Sequence, residues 1–193
     1  MRKNLRGFTL VETILALAIG GLILMGVFIA LPALLRNQRD ADRKSDVATL
    51  ISRLKAFQTN NNRGSLPTGG LIGGTVTITG STVTFGSKTG LTWQDFYGSY
   101  FDKDFIDPSS GEVYNWKIMA CTTKASPTVG AECDYKDIAD FMKNTTTFNN
   151  ANFTMYIVTS AKCDGEKAVY SANSRNAAVL YKLEGAGTFC ANT

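Results

Sequence analysis

From Thr13 to Leu35 the chain carries no charged side chain. As a helix rising ~1.5 Å per residue, this run is long enough to cross the ~30 Å hydrocarbon core of a bilayer. Ahead of it lie Gly7-Phe8-Thr9-Leu10-Val11-Glu12 and a basic leader, Met1-Arg2-Lys3-Asn4-Leu5-Arg6. Glu12 is the anomaly, because a carboxylate inside a membrane span costs on the order of 2.5–3.5 kcal/mol at the bilayer centre and marks a functional position whose partner must be found. A cut after Gly7 would supply that partner: the freed ammonium of Phe8 would neutralise a Glu12 carboxylate, and that of a neighbouring copy is the one expected. Gly7 suits such a cut, since a residue without Cβ lets the backbone approach a peptidase closely.

A basic leader ending in Gly, then Phe-Thr-Leu-Val-Glu, then an apolar span resembles the class III signal of type IV pilins and pseudopilins. The resemblance implies cleavage between Gly7 and Phe8 by a membrane-embedded prepilin peptidase, followed by methylation of the Phe8 amine. It implies an α+β fold, with one long N-terminal helix, half in the membrane and half packed on a C-terminal four-stranded antiparallel sheet. The expected divisions are a leader at 1–7, a transmembrane and assembly half at 8–35, and an ectodomain at 36–193 that includes the amphipathic part of the helix, 36–59. Gly20, Gly21 and Pro32 are weak points in the span, costing ~1 kcal/mol per glycine and ~3 for the proline in an ordinary helix. Membrane helices tolerate both residue types, but the family suggests that the segment between them loses helical hydrogen bonds as subunits pack. An ordinary secretory signal cut after Ala16-Leu17-Ala18 is the competing reading. The apolar run continues well past that point, which argues against it.

The formal net charge is +4, yet three of the 20 basic residues sit in the leader, and without them 17 face 16 acidic residues. That balance leaves no electrostatic footprint for strong nucleic-acid binding. The chain has no histidine, so the commonest general base and metal ligand is missing and a Ser-His or Cys-His enzyme is not expected. Cys121, Cys133, Cys163 and Cys190 all lie beyond the span. An even count there favours two disulfides, and the pairs Cys121–Cys133 and Cys163–Cys190 close the shorter loops, although three connectivities are open. The Cys-x-x-Cys spacing of a zinc site is missing. Arg36, Arg39, Arg43 and Lys44 rival the leader in charge, so the oxidising requirement of the cysteines, rather than the positive-inside rule, places the N-terminus in the cytoplasm.

After Leu35 the pattern turns amphipathic, with Val47, Leu50, Ile51, Leu54 and Phe57 on one stripe and Arg39, Asp42, Arg43, Asp46 and Arg53 on other faces. Asp40 and Lys44 are expected to pair at i,i+4. Asn60 to Gly64 and Pro67 end the helix. Thr75 to Phe85 reads as a hairpin around Gly80-Ser81. The aromatic run Trp93, Phe96, Tyr97, Tyr100, Phe101 and Phe105 reads as core. Asp102, Asp104 and Asp107 invite a calcium reading, and some pseudopilins bind calcium in this region, but Pro108 breaks the EF-hand pattern and a solvated turn at 107–111 is expected. Strands are expected at 112–121, 153–161, 167–171 and 177–184, with a short helix at 134–144 and with Cys190 tying back the tail, as in the pilins this chain resembles.

No catalytic residue, cofactor or resident metal is expected. The resemblance implies a filament subunit whose partners are other copies of itself, other pilins, prepilin peptidase, the pilus assembly platform and the membrane. Its location would be the cytoplasmic membrane before assembly and a surface filament, of the kind used in adhesion and motility, afterwards. The alternatives are a pseudopilin of a type II secretion or DNA-uptake system, or a membrane-anchored binding domain.

Overall fold

The computed structural model describes residues 8–61, 64–67, 92–101, 105–121, 128–133, 154–185 and 187–193. The expected hairpin at 75–85, the helix at 134–144, Asp102, Asp104 and the leader including Gly7 lie outside the described residues. The chain divides into two compact units, the first ending at Gln38 and the second running from Arg39 to Thr193.

Helix α1 runs from Leu10 to Asn61, without interruption at Gly20, Gly21 or Pro32. In the first unit none of its described residues is buried. Leu10, Ile14, Leu17, Leu22, Phe28 and Leu34 are all exposed. By length and composition this helix can cross a membrane, and none of its apolar window is buried.

In the second unit the predicted stripe of Val47, Leu50, Ile51, Leu54 and Phe57 is buried. The exit from α1 is fixed by Gly64, whose φ of +86° is open to glycine without strain. Its amide donates to Gln58 O at 2.8 Å, while the buried Gln58 side chain donates through Nε2 to Arg175 O at 2.7 Å. Helix α2, Trp93–Tyr100, opens on a capping box in which Thr92 and Asp95 satisfy each other's backbone amides. Its aromatics fill the core as expected: Phe57 meets Phe96 edge-on at 5.4 Å and Tyr97 stacks on Phe101 at 5.4 Å between ring centres.

The strands are β1 (Asn115–Ala120), β2 (Thr154–Thr159), β3 (Ala161–Asp164), β4 (Lys167–Tyr170), β5 (Ala177–Lys182) and β6 (Thr188–Asn192). The main sheet has the order β1-β2-β5-β6, and β3 and β4 form a separate two-stranded sheet. Period-two alternation gives the main sheet two buried faces. Trp116, Ile118, Met155, Ile157, Val179 and Tyr181 share a core with the α1 stripe and α2. Tyr156, Val158, Ala178 and Leu180 pack on the other side with Ala161, Ala168, Cys121 and Cys133.

Three expectations are corrected. The sheet is mixed rather than antiparallel, because β1 and β2 run parallel, with Trp116 opposite Met155 and Ile118 opposite Ile157. Parallel neighbours need a crossover, and the long connection at 121–153 provides the length. The strand expected at 167–171 as the sheet's fourth member pairs instead with β3. Ser160 makes that possible. It is the single residue between β2 and β3, its φ of +56° turns the chain sharply, and it is fixed by its own amide donating to Asn176 O and by Ser171 N donating to its carbonyl, both at 2.8 Å. The fourth member is β6, only five residues long and ending in Ala191-Asn192, which gave no strand signal and pairs antiparallel with β5 from Ala178–Asn192 to Lys182–Thr188.

Candidate assembly site and the charged cluster of the second unit

At the start of α1, Thr9 and Glu12 close a capping box. Thr9 N and Thr9 Oγ1 both donate to Glu12 Oε2, at 2.8 and 3.0 Å, and Glu12 N donates to Thr9 Oγ1 at 3.3 Å. The bonds from Thr9 N and Glu12 N satisfy amide donors that a helix N-terminus otherwise leaves open. The local rule that produces this geometry, Thr-x-x-Glu ahead of an apolar run, stands in the sequence. Sequence reasoning fixed on the charge of Glu12 and missed Thr9. Phe8 precedes the cap, outside the helix and exposed. The carboxylate of Glu12 meets only Thr9 and no cation among the described residues. Gly20, Gly21 and Gly26 are surrounded by open space, so a neighbouring helix could approach the backbone closely there.

The second unit contains a charged cluster that sequence reasoning misplaced. Arg43, assigned from periodicity to a solvent face, is fully buried. Its Nε donates to Asp107 Oδ2 at 2.8 Å and its Nη2 to Asp107 Oδ1 at 3.3 Å. Nη1 donates to Asp40 Oδ1 at 3.1 Å, and Nη2 also reaches Ser109 Oγ at 2.7 Å and Glu184 Oε1 at 2.8 Å. Glu184 is gripped from outside by Arg39, through Nε at 3.1 Å and Nη2 at 2.8 Å. Asp40 does not pair with Lys44. It accepts the amides of Glu184 and Gly185, each at 2.9 Å, while Lys44 Nζ lies 5.8 Å from the ring centre of Phe189.

Asp107 is likewise not part of a solvated turn. The turn at 108–110 is present, but the carboxylate at its head is buried and also accepts Ser109 N, Ser109 Oγ, Ser110 N and Tyr181 Oη. Burial pushes the Asp107 carboxyl up, and the bonds from Arg43 and Ser109 outweigh it and hold it at about 2. Both of its oxygens are engaged, so it is not free to ligate a calcium ion. Next to it, burial raises the Asp46 carboxyl, only partly offset by the 2.8 Å bond from Tyr114 Oη.

The four cysteines form the two short-loop pairs, Cys121–Cys133 and Cys163–Cys190. The first encloses the 128–133 segment. The second ties β3 to β6 and so fixes the end of the chain.

Residues 2–28 match the family model of the prokaryotic N-terminal methylation motif, the class III signal peptide of type IV pilins. No curated protein and no solved structure matches the chain. The motif, the apolar part of α1 and the α+β layout of the rest fit the membrane anchoring of a pilin-like or pseudopilin precursor.

Proposed function

We propose that this chain is the precursor of a structural subunit of a type IV pilus or related filament. Prepilin peptidase cuts it between Gly7 and Phe8 and the new Phe8 amine is methylated. The apolar part of α1 holds the subunit in the cytoplasmic membrane until an assembly platform packs it, helix against helix, with other copies and other pilins into an extracellular filament. Gly20, Gly21 and Pro32 are then the points at which the span yields as neighbours close in.

One observation carries this reading: the segment matching the methylation motif is also the segment whose apolar side chains lack a cover and whose one carboxylate lacks a cation among the described residues. A bundle of such helices supplies both. It packs the apolar side chains against one another in place of the lipid they leave, where close packing rather than escape from water drives association, and it brings the Phe8 ammonium of one copy to the Glu12 of another. An exposed ion pair is worth ~0–1 kcal/mol, whereas an uncompensated charge in an apolar bundle costs ~3–5 kcal/mol, so pairing selects the register in which subunits dock.

The test is intact-mass and N-terminal analysis of the protein in sheared surface filaments. The expected species begins at N-methylated Phe8 and is abundant. A cell-associated protein still beginning at Met1 contradicts the reading. Processed protein that stays in the membrane and is missing from sheared filaments assigns the chain to the pseudopilins, which share the signal.

A further inference from the structure

We propose that the cluster around Arg43 is a clamp at which loosening of α1 stops, so that the ectodomain keeps its helix when the segment ahead of it changes shape. The idea rests on the filament reading only for what would pull on α1. The clamp itself rests on contacts within the second unit.

Ahead of Arg39, α1 is held by its own backbone bonds: among the described residues its side chains make hydrogen bonds only in the first turn, and its large apolar side chains are exposed. A helix held in this way opens cooperatively, each lost turn exposing the next. The first side chains that grip other segments are Arg39, Asp40 and Arg43. Arg43 is tied to Asp107 and Ser109, Asp40 to the amides of Glu184 and Gly185, and Glu184 to both arginines. To unwind past Asp40, the helix must pull one carboxylate off two amides and free a second from two guanidiniums, around an Arg43 side chain that water does not reach. The apolar stripe starts at Val47, about one helical turn later, so the clamp is met before any hydrophobic anchor.

Backbone amide hydrogen exchange on the full-length chain in detergent micelles tests this, comparing the parent with Glu184→Gln and Arg43→Met. In the parent, protection should rise in a step from residues 36–39, just outside the micelle, to residues 40–43. Glu184→Gln should speed exchange across 39–46 at least tenfold and leave 50–57 unchanged, and Arg43→Met should move the step to Val47–Leu50. Because exchange in micelles needs neither cleavage nor assembly, failure of the filament reading leaves this result standing. If Arg43→Met unfolds the domain, Glu184→Gln decides alone. Unchanged exchange at 39–46 in that variant, or an increase shared equally by 50–57, overturns the clamp.

Discussion

The two parts of α1 treat charge in opposite ways. Past Arg39 the helix buries a guanidinium, and the same chain delivers the counter-charges, Asp40 from one turn earlier, Asp107 from the loop before β1 and Glu184 from the turn after β5. Near its start the helix carries one carboxylate in an apolar run and answers it only with the neutral donors of Thr9. A charge destined for the interior of its own fold has to bring its partner, since a buried unpaired charge is strongly destabilising. Among the described residues Glu12 has a cap and no counter-charge, which fits a residue that is completed by another molecule.

Breaking the internal arrangement should have the largest effect on stability. Arg43→Ala strands Asp107 and Asp40 inside the fold and is expected to destabilise the ectodomain by about 3–5 kcal/mol, read as a fall in the melting temperature of the full chain in micelles. An unchanged melting temperature would mean that the cluster contributes nothing net. Next in size is the staple between β3 and β6. Replacing Cys163 and Cys190 together by Ser should cost about 2–4 kcal/mol, with proteolysis starting at the β6 end, whereas trimming elsewhere first would show that β5 alone retains the strand.

A smaller effect follows from acid. The Asp107 carboxyl is held below its unfolded value, so its contribution, about 2 kcal/mol, is complete above about pH 5 and is lost progressively as pH falls through the folded value of about 2. Asp46 acts in the opposite sense, since burial holds its carboxyl up and ionisation, as pH rises through that value, costs stability. Melting curves between pH 2 and 5 should therefore fall steeply at the acid end in the parent and less steeply in Asp107→Asn. Equal slopes would remove Asp107 from the account.

The parts legible in the sequence were those governed by local rules. The helical spacing of Val47 to Phe57 and the aromatic density at 93–105 mark core, and the structure places both there, while the large apolar side chains of the uncharged run stand exposed. What was not legible depends on segments far apart in the chain. Nothing around Arg43 announces that Asp107 lies 64 residues away at hydrogen-bond distance, so the periodicity that put Arg43 in solvent was overruled by a counter-charge it could not see. The parallel pairing of β1 with β2 is likewise decided by which ends a long connection joins, whereas β6 turns back on β5 after only residues 183–187 and is held by the distant cysteine pair Cys163–Cys190. At the N-terminus the residue that went unnoticed, Thr9, was the one that only a capping rule could have found.

The most direct test of the contrast between the two parts of α1 is Glu12→Ala, followed through insertion, cleavage, folding and incorporation into filaments. Removing the carboxylate makes insertion into lipid easier, and the melting temperature of the ectodomain should not move, since among the described residues the Glu12 carboxylate bonds to Thr9 alone. Cleavage after Gly7 should proceed largely as in the parent. What should fall sharply is the variant's share of sheared filaments when it is expressed beside the parent chain, because the Phe8 ammonium then enters an apolar bundle without its counter-charge. Incorporation equal to the parent's would show that Glu12 is no more than the N-terminal cap its bonds to Thr9 describe, and that register is set by something else.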